Sequence, residues 1–203
     1  KLAIEPFFFS EADNKCAKQS YALVLETFVI IGSSIMVLVV VALDILKVIF
    51  IGDPEYWQAM YIVPIILLAN FCLGIYQNLS VWYKVTDMTK FAAYISGVGA
   101  IITLFLNIIL IPNYSFLGSA LATLIAYFTM ALLSYIIGKK HYPIPYNTSK
   151  ILFYILLSTS LSSISFYGFR DNILVGIVCI LVMNLVILVK EKRQIIKLFN
   201  LIR

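Results

Sequence analysis

Residues 91–138 read FAAYISGVGAIITLFLNIILIPNYSFLGSALATLIAYFTMALLSYIIG and contain no Asp, Glu, Lys or Arg. A helix needs about 20 mostly apolar residues to cross a bilayer. This stretch holds two such runs, 91–111 and 116–138, with Pro112-Asn113 as the expected break. The runs are continuous rather than alternating, which excludes a membrane β-barrel. Outward from it, four more runs qualify: 21–50 with its apolar centre at 27–43, then 58–82, 151–167 and 173–189. Turn chemistry separates them at Gly52-Asp53-Pro54, Thr86-Asp87, Pro143–Pro145 and 168–172. The fold class expected is all-α: a polytopic bundle of six membrane helices.

Composition agrees. Of 203 residues, 62% are hydrophobic and only 12% are charged, with mean hydropathy +0.99. Soluble domains carry about 25% charged residues. A soluble domain, a disordered chain and a nucleic-acid reader are all excluded. The net charge of +5 becomes topological, because Lys and Arg collect on the cytoplasmic side of a membrane protein. Lys1, Lys15 and Lys18 precede the first run; Lys84 and Lys90 follow the second; Lys139, Lys140 and Lys150 follow the fourth. Lys190, Lys192, Arg193, Lys197 and Arg203 follow the sixth, and only Lys47 and Arg170 fall on the other side. The alternation predicts an even number of spans with both termini cytoplasmic.

Four segments follow: a cytoplasmic lead at 1–20, four helices at 21–147, a trailing pair at 148–190 and a basic amphipathic tail at 191–203. The tail puts Ile195, Phe199 and Ile202 on one face, so it either lies on anionic lipid or extends the last span. The chain starts at Lys1 without Met or a signal-peptide pattern, which suggests a piece of a longer protein.

Small and polar residues recur at helical spacing. Gly97, Gly118 and Ala122 are expected to be helix-packing positions, since small side chains let backbones approach. Asn70, Gln77, Asn78, Thr103, Asn107 and Thr123 are equally open to packing bonds and to a polar path through the membrane. Lys84 and Lys90 are candidate cytoplasmic phosphate contacts. Asp44 and Lys47 are three apart on one helix and are expected to pair, whereas Glu26 is expected to reach the cytoplasmic surface. The three cysteines are scattered and His141 is the one histidine, so no metal site, cofactor or catalytic group is assigned. No nucleophile–base pair or paired-carboxylate cluster points to an enzyme.

Several strings carry a resemblance: EPFFF (5–9), NLSVWYK (78–84), N-x3-IPNY-x3-GSA-x-AT (107–123) and GKKHYPIPY (138–146). In this order they resemble the C-terminal part of polysaccharide flippases. These are the lipopolysaccharide, O-antigen and capsule exporters of the multidrug/oligosaccharidyl-lipid/polysaccharide superfamily, and the likeness is to Bacteroidetes-type members. It covers about residues 1–150. The resemblance implies alternating access between two helical lobes, with most of the partner helices N-terminal to this stretch. It implies a lipid-linked oligosaccharide on undecaprenyl diphosphate as cargo, the membrane lipids as surroundings and the bacterial inner membrane as location. The alternatives are an exporter of another substrate in the same superfamily, a membrane-embedded glycan polymerase or transferase, and a non-catalytic interaction subunit.

Overall fold

In the computed structural model, the residues described are 17–51, 53–170 and 172–202, with side chains described except at 54–56 and beyond 192. Every element is helical. The order is α1 (Ala17–Val41), α2 (Leu43–Phe50), a 3-10 stretch (Pro54–Ile62), α3 (Val63–Leu79), α4 (Val81–Val85), α5 (Lys90–His141), α6 (Thr148–Ser163) with a π-helical end (Ile164–Gly168), and α7 (Ile173–Ile202). Helices are what a bilayer demands, because they satisfy every backbone N–H and C=O within one segment. Among the described residues, five helices are long and apolar enough to cross a membrane: Ala17–Val41, Trp57–Val85, Lys90–His141, Thr148–Gly168 and Ile173–Lys192. The chain is therefore a multi-pass membrane protein by its helices.

The longest of these is a hairpin. A straight helix of 52 residues would be about 78 Å long. Yet the rings of Phe91 and His141, at its two ends, lie 5.0 Å apart. The reversal is at Ser115, whose φ of 50° and ψ of −129° are not helical. The reversal lies in the expected gap between the two runs, 112–115, at its last residue and not at Pro112-Asn113 itself. Proline can sit in a helix but cannot supply the positive φ that the reversal needs. Asn113 is likewise kept in the first arm, its amide donating to the Ile109 carbonyl at 3.0 Å. Gly118 then passes the first arm so closely that a Cβ there would lie 2.5 Å from the Leu110 oxygen.

Other boundaries shift less. The first apolar run is interrupted at Ala42, between α1 and α2, and the last helix continues unbroken from Ile173 to Ile202. The turn at Thr86-Asp87 is where the sequence places it. Thr86 caps the preceding turn through the Trp82 carbonyl, and Asp87 takes a φ of 54°, a conformation its short polar side chain tolerates.

The chain divides into two compact units, 1–29 with 61–150 and 30–60 with 151–203. The first unit packs small residues of the second hairpin arm, Ala122 and Ala126, at full burial together with Ala69 and Ile95. The first arm instead exposes Ile101, Leu104, Phe105 and Ile108, a surface that suits lipid and not water. In the second unit, Tyr154 is fully buried. Its carbonyl accepts from the Ser33 hydroxyl and its own hydroxyl donates to Glu191 at 3.0 Å. Ser34 donates to Asn184 at 3.2 Å.

Candidate functional site

Two of the strings singled out in the sequence meet in the first unit. NLSVWYK places Trp82 on the one-turn helix α4, and GKKHYPIPY runs from the end of α5 into the loop before α6. The Trp82 indole N–H donates to the Ser134 carbonyl at 3.1 Å, and the His141 ring stacks on it at 5.7 Å and 18°. Phe91 and Tyr83 close the ring cluster at 5.2 and 5.3 Å. Gly138 is glycine for a steric reason: a Cβ there would lie 2.7 Å from Trp82. The indole is thus an anchor that fixes α4 against the last turns of the hairpin.

Beside this anchor is a cleft of about 340 Å³, walled by Trp82, Tyr135, Tyr142 and Tyr146, with Ser134, Lys139 and Thr148 among its polar groups and, among the described residues, no carboxylate in its lining. The Tyr146 hydroxyl is buried without a hydrogen-bond partner among the described residues, and burial pushes its pKa upward. Lys18 lies over the Tyr142 ring at 4.4 Å. Lys150 pairs with Glu26 at 3.1 Å, both largely buried. Glu26 therefore does not reach for the surface as expected; a cation on the first turn of α6 meets it instead. Lys90 stands exposed at the start of α5 next to Phe91, and Lys84 is half-buried on α4 across the turn.

Four of the candidate path residues bond within their own helices. Asn70 is exposed and donates to the Ile66 carbonyl. Asn78 donates to Gly74, Thr103 to Gly99 and Thr123 to Ser119. Each bond goes back four residues within the same helix, the local route by which a polar side chain satisfies itself. Gln77 is half-buried. Among the described residues no hydrogen bond joins any of these groups to another. What stays open is acceptor capacity: the amide oxygens of Asn78 and Asn107 are buried without a partner. Of the packing positions, Gly118 passes the Leu110 backbone closely and Ala122 is fully buried, whereas among the described residues a Cβ on Gly97 would meet nothing within 4 Å.

In the second unit, Lys47 pairs with Asp44 as the spacing predicts, and Arg170, 126 residues away, joins the same carboxylate at 3.0 Å. Lys47 also lies 5.1 Å over the Trp57 ring. Asp44 lies beyond the span Ala17–Val41. The hydrogen bond from Arg170, aided by Lys47, holds its carboxyl below the usual range, outweighing the opposite effect of partial burial. Here Val41, Ser165, Asn172 and Gly176 help line a smaller cleft of about 160 Å³.

Sequence reasoning missed Tyr146, Glu191 and the roles of Lys150 and Arg170. Glu191 is hidden in a basic tail pattern, the cross-helix partners of Lys150 and Arg170 have no local signature, and nothing in the string marks the Tyr146 hydroxyl as buried. EPFFF and the face carrying Ile195, Phe199 and Ile202 lie outside the described residues and side chains. Among the described residues no group of three His, Cys, Asp or Glu side chains comes together. No protein-family model, no curated protein and no solved structure matches the chain.

Proposed function

We propose that the chain is part of a flippase that moves a lipid-linked oligosaccharide from the cytoplasmic to the outer leaflet by alternating access. In this reading the two arms of α5 each cross the membrane, which makes six passes and puts both termini in the cytoplasm. The observation that carries the reading is the meeting of NLSVWYK and GKKHYPIPY around Trp82. Two strings that resemble flippase sequence, far apart in the chain, form one packed unit.

The charges support the orientation. Lys18, Lys90, Lys139, Lys140 and Lys150, all assigned to the cytoplasm by the loop pattern, come to the ring-cluster end of the first unit. Lys47 and Arg170, both assigned to the outside, share Asp44. A sugar chain with a diphosphate cannot enter lipid without losing water, at several kcal/mol per polar group. The free acceptors of Asn78 and Asn107 suit a path that replaces part of that water. The bacterial inner membrane and an undecaprenyl diphosphate carrier belong to the same proposal.

Deleting the parent gene is expected to trap lipid-linked sugar on the cytoplasmic face, read by leaflet-selective labelling. Normal surface glycan in the deletion strain would reject the flippase reading. Asn78→Ala and Asn107→Ala are each expected to lower export at unchanged protein level. Full export in both would return the two amides to a packing role.

A further inference from the structure

We propose that the cleft beneath residues 142–146 holds the glycerol-phosphate headgroup of an anionic phospholipid from the leaflet it faces. That this leaflet is the cytoplasmic one rests on the orientation proposed above; the site itself does not.

Size comes first. A cleft of about 340 Å³ is at the small end of ligand sites, which span roughly 300–1,000 Å³. It has room for one headgroup and not for a sugar chain. Charge comes next. Lys139 lines the cleft, Lys140 and His141 follow it, and among the described residues no carboxylate lines it. Glu26, at the same end of the unit, is held by Lys150. The cleft also receives the first residue of α6, Thr148, so the positive end of that helix dipole faces it. The opposing carbonyl end of α5 is offset by its own Lys139 and Lys140.

The polar inventory then favours a ligand with both donors and acceptors. The buried Tyr146 hydroxyl has no partner among the described residues, and a buried hydroxyl is rarely left that way. A phosphate oxygen or a glycerol hydroxyl completes it. The aromatic walls raise the opposite possibility of a choline cage. Two observations decide against it. His141 covers one face of Trp82 and Lys18 one face of Tyr142, and Lys139 would repel a quaternary ammonium.

The chain has two tryptophans, so Trp57→Phe leaves Trp82, in the cleft wall, as the reporter. The purified protein with this change would be titrated with short-chain phosphatidylglycerol, phosphatidylcholine, a neutral alkyl glycoside and a polyprenyl diphosphate. Phosphatidylglycerol is expected to shift the Trp82 emission and to bind at least roughly tenfold more tightly than phosphatidylcholine. Lys139→Gln is expected to weaken it roughly tenfold and Tyr146→Phe roughly threefold to fivefold, as for a charged and a neutral hydrogen bond. Lys139→Arg is expected to restore binding, which separates lost charge from lost folding.

Equal binding of phosphatidylcholine, equal binding of the alkyl glycoside, or no effect of Lys139→Gln would overturn the proposal. So would tighter, Lys139-dependent binding of the polyprenyl diphosphate, which would place the cleft on the cargo route. None of these readouts involves glycan export. A failed trapping experiment with phosphatidylglycerol binding intact removes the transport reading alone, and the converse removes this one alone.

Discussion

The Trp82 cluster of the first unit and the Asp44 cluster of the second bring distant residues together by opposite means. Around Trp82 the joining surface is packed rings centred on the buried indole, the indole N–H shared between the Ser134 carbonyl and hydroxyl, and a glycine that makes room for them. Around Asp44 it is two cations on one carboxylate, with Asp44 and Arg170 both more than a third exposed. Burial of the indole makes the first contact depend on shape. Water makes the second tolerant, because exposed charges recover hydration when they part.

The difference can be broken experimentally. Trp82→Ala should be the most damaging change, at about 3–5 kcal/mol for a buried aromatic truncation. Reversible unfolding in mixed micelles would measure it, and a loss under 1 kcal/mol would show that the rings do not hold α4 to the hairpin. Gly118→Ala comes second. Its new methyl meets backbone at the Leu110 oxygen rather than a movable side chain, so a cost of about 1–3 kcal/mol is expected from overpacking. A neutral result by the same assay would mean that the arms can separate freely.

Ser115→Gly should act in the other direction. Serine at a φ of 50° is strained and glycine is not, so a gain of about 1 kcal/mol is expected in thermal unfolding. The smallest effect belongs to the ion cluster. Asp44→Asn should cost under about 1 kcal/mol at pH 7. Its signature is the pH profile. A carboxylate with a lowered folded pKa contributes fully above its unfolded value of about 3.9 and loses that contribution as pH falls through the folded value. Unfolding midpoints of the wild type should therefore drop below about pH 4 more than those of Asp44→Asn. Parallel profiles would leave Arg170 and Asp44 as neighbours without coupling.

The legible and illegible parts of the fold divide along similar lines. Apolar runs of about 20 residues are a property of consecutive residues, so most helices could be read off directly. So could the Asp44–Lys47 pair, which needs only a three-residue spacing on a helix. The reversal at Ser115 could not. Pro112 and Asn113 carry the strongest turn signals, but the residue that reverses the chain is an ordinary serine held there by the packing of both arms. The polar stripes left their roles open for a different reason. Spacing shows that Thr103 and Thr123 lie on defined faces, yet a hydroxyl in lipid can turn back to its own helix and ask nothing of a neighbour. The cleft was half legible. Its two strings were conspicuous, but only the folded chain shows that Tyr146 and Trp82 line one cleft.

The Glu26–Lys150 pair sets an order of assembly. Its partners are 124 residues apart, so at about 5–20 residues per second the cation is made roughly 6–25 s after the carboxylate. Through that interval the helix that will become α1 carries an acid without its counter-ion. It must stay where Glu26 can keep its water, at the surface of the bilayer. Only when Lys150 emerges at the head of α6 can the carboxylate leave that water and α1 settle to its final depth. Although α1 precedes the other described helices, it is in this sense among the last of them to be finished.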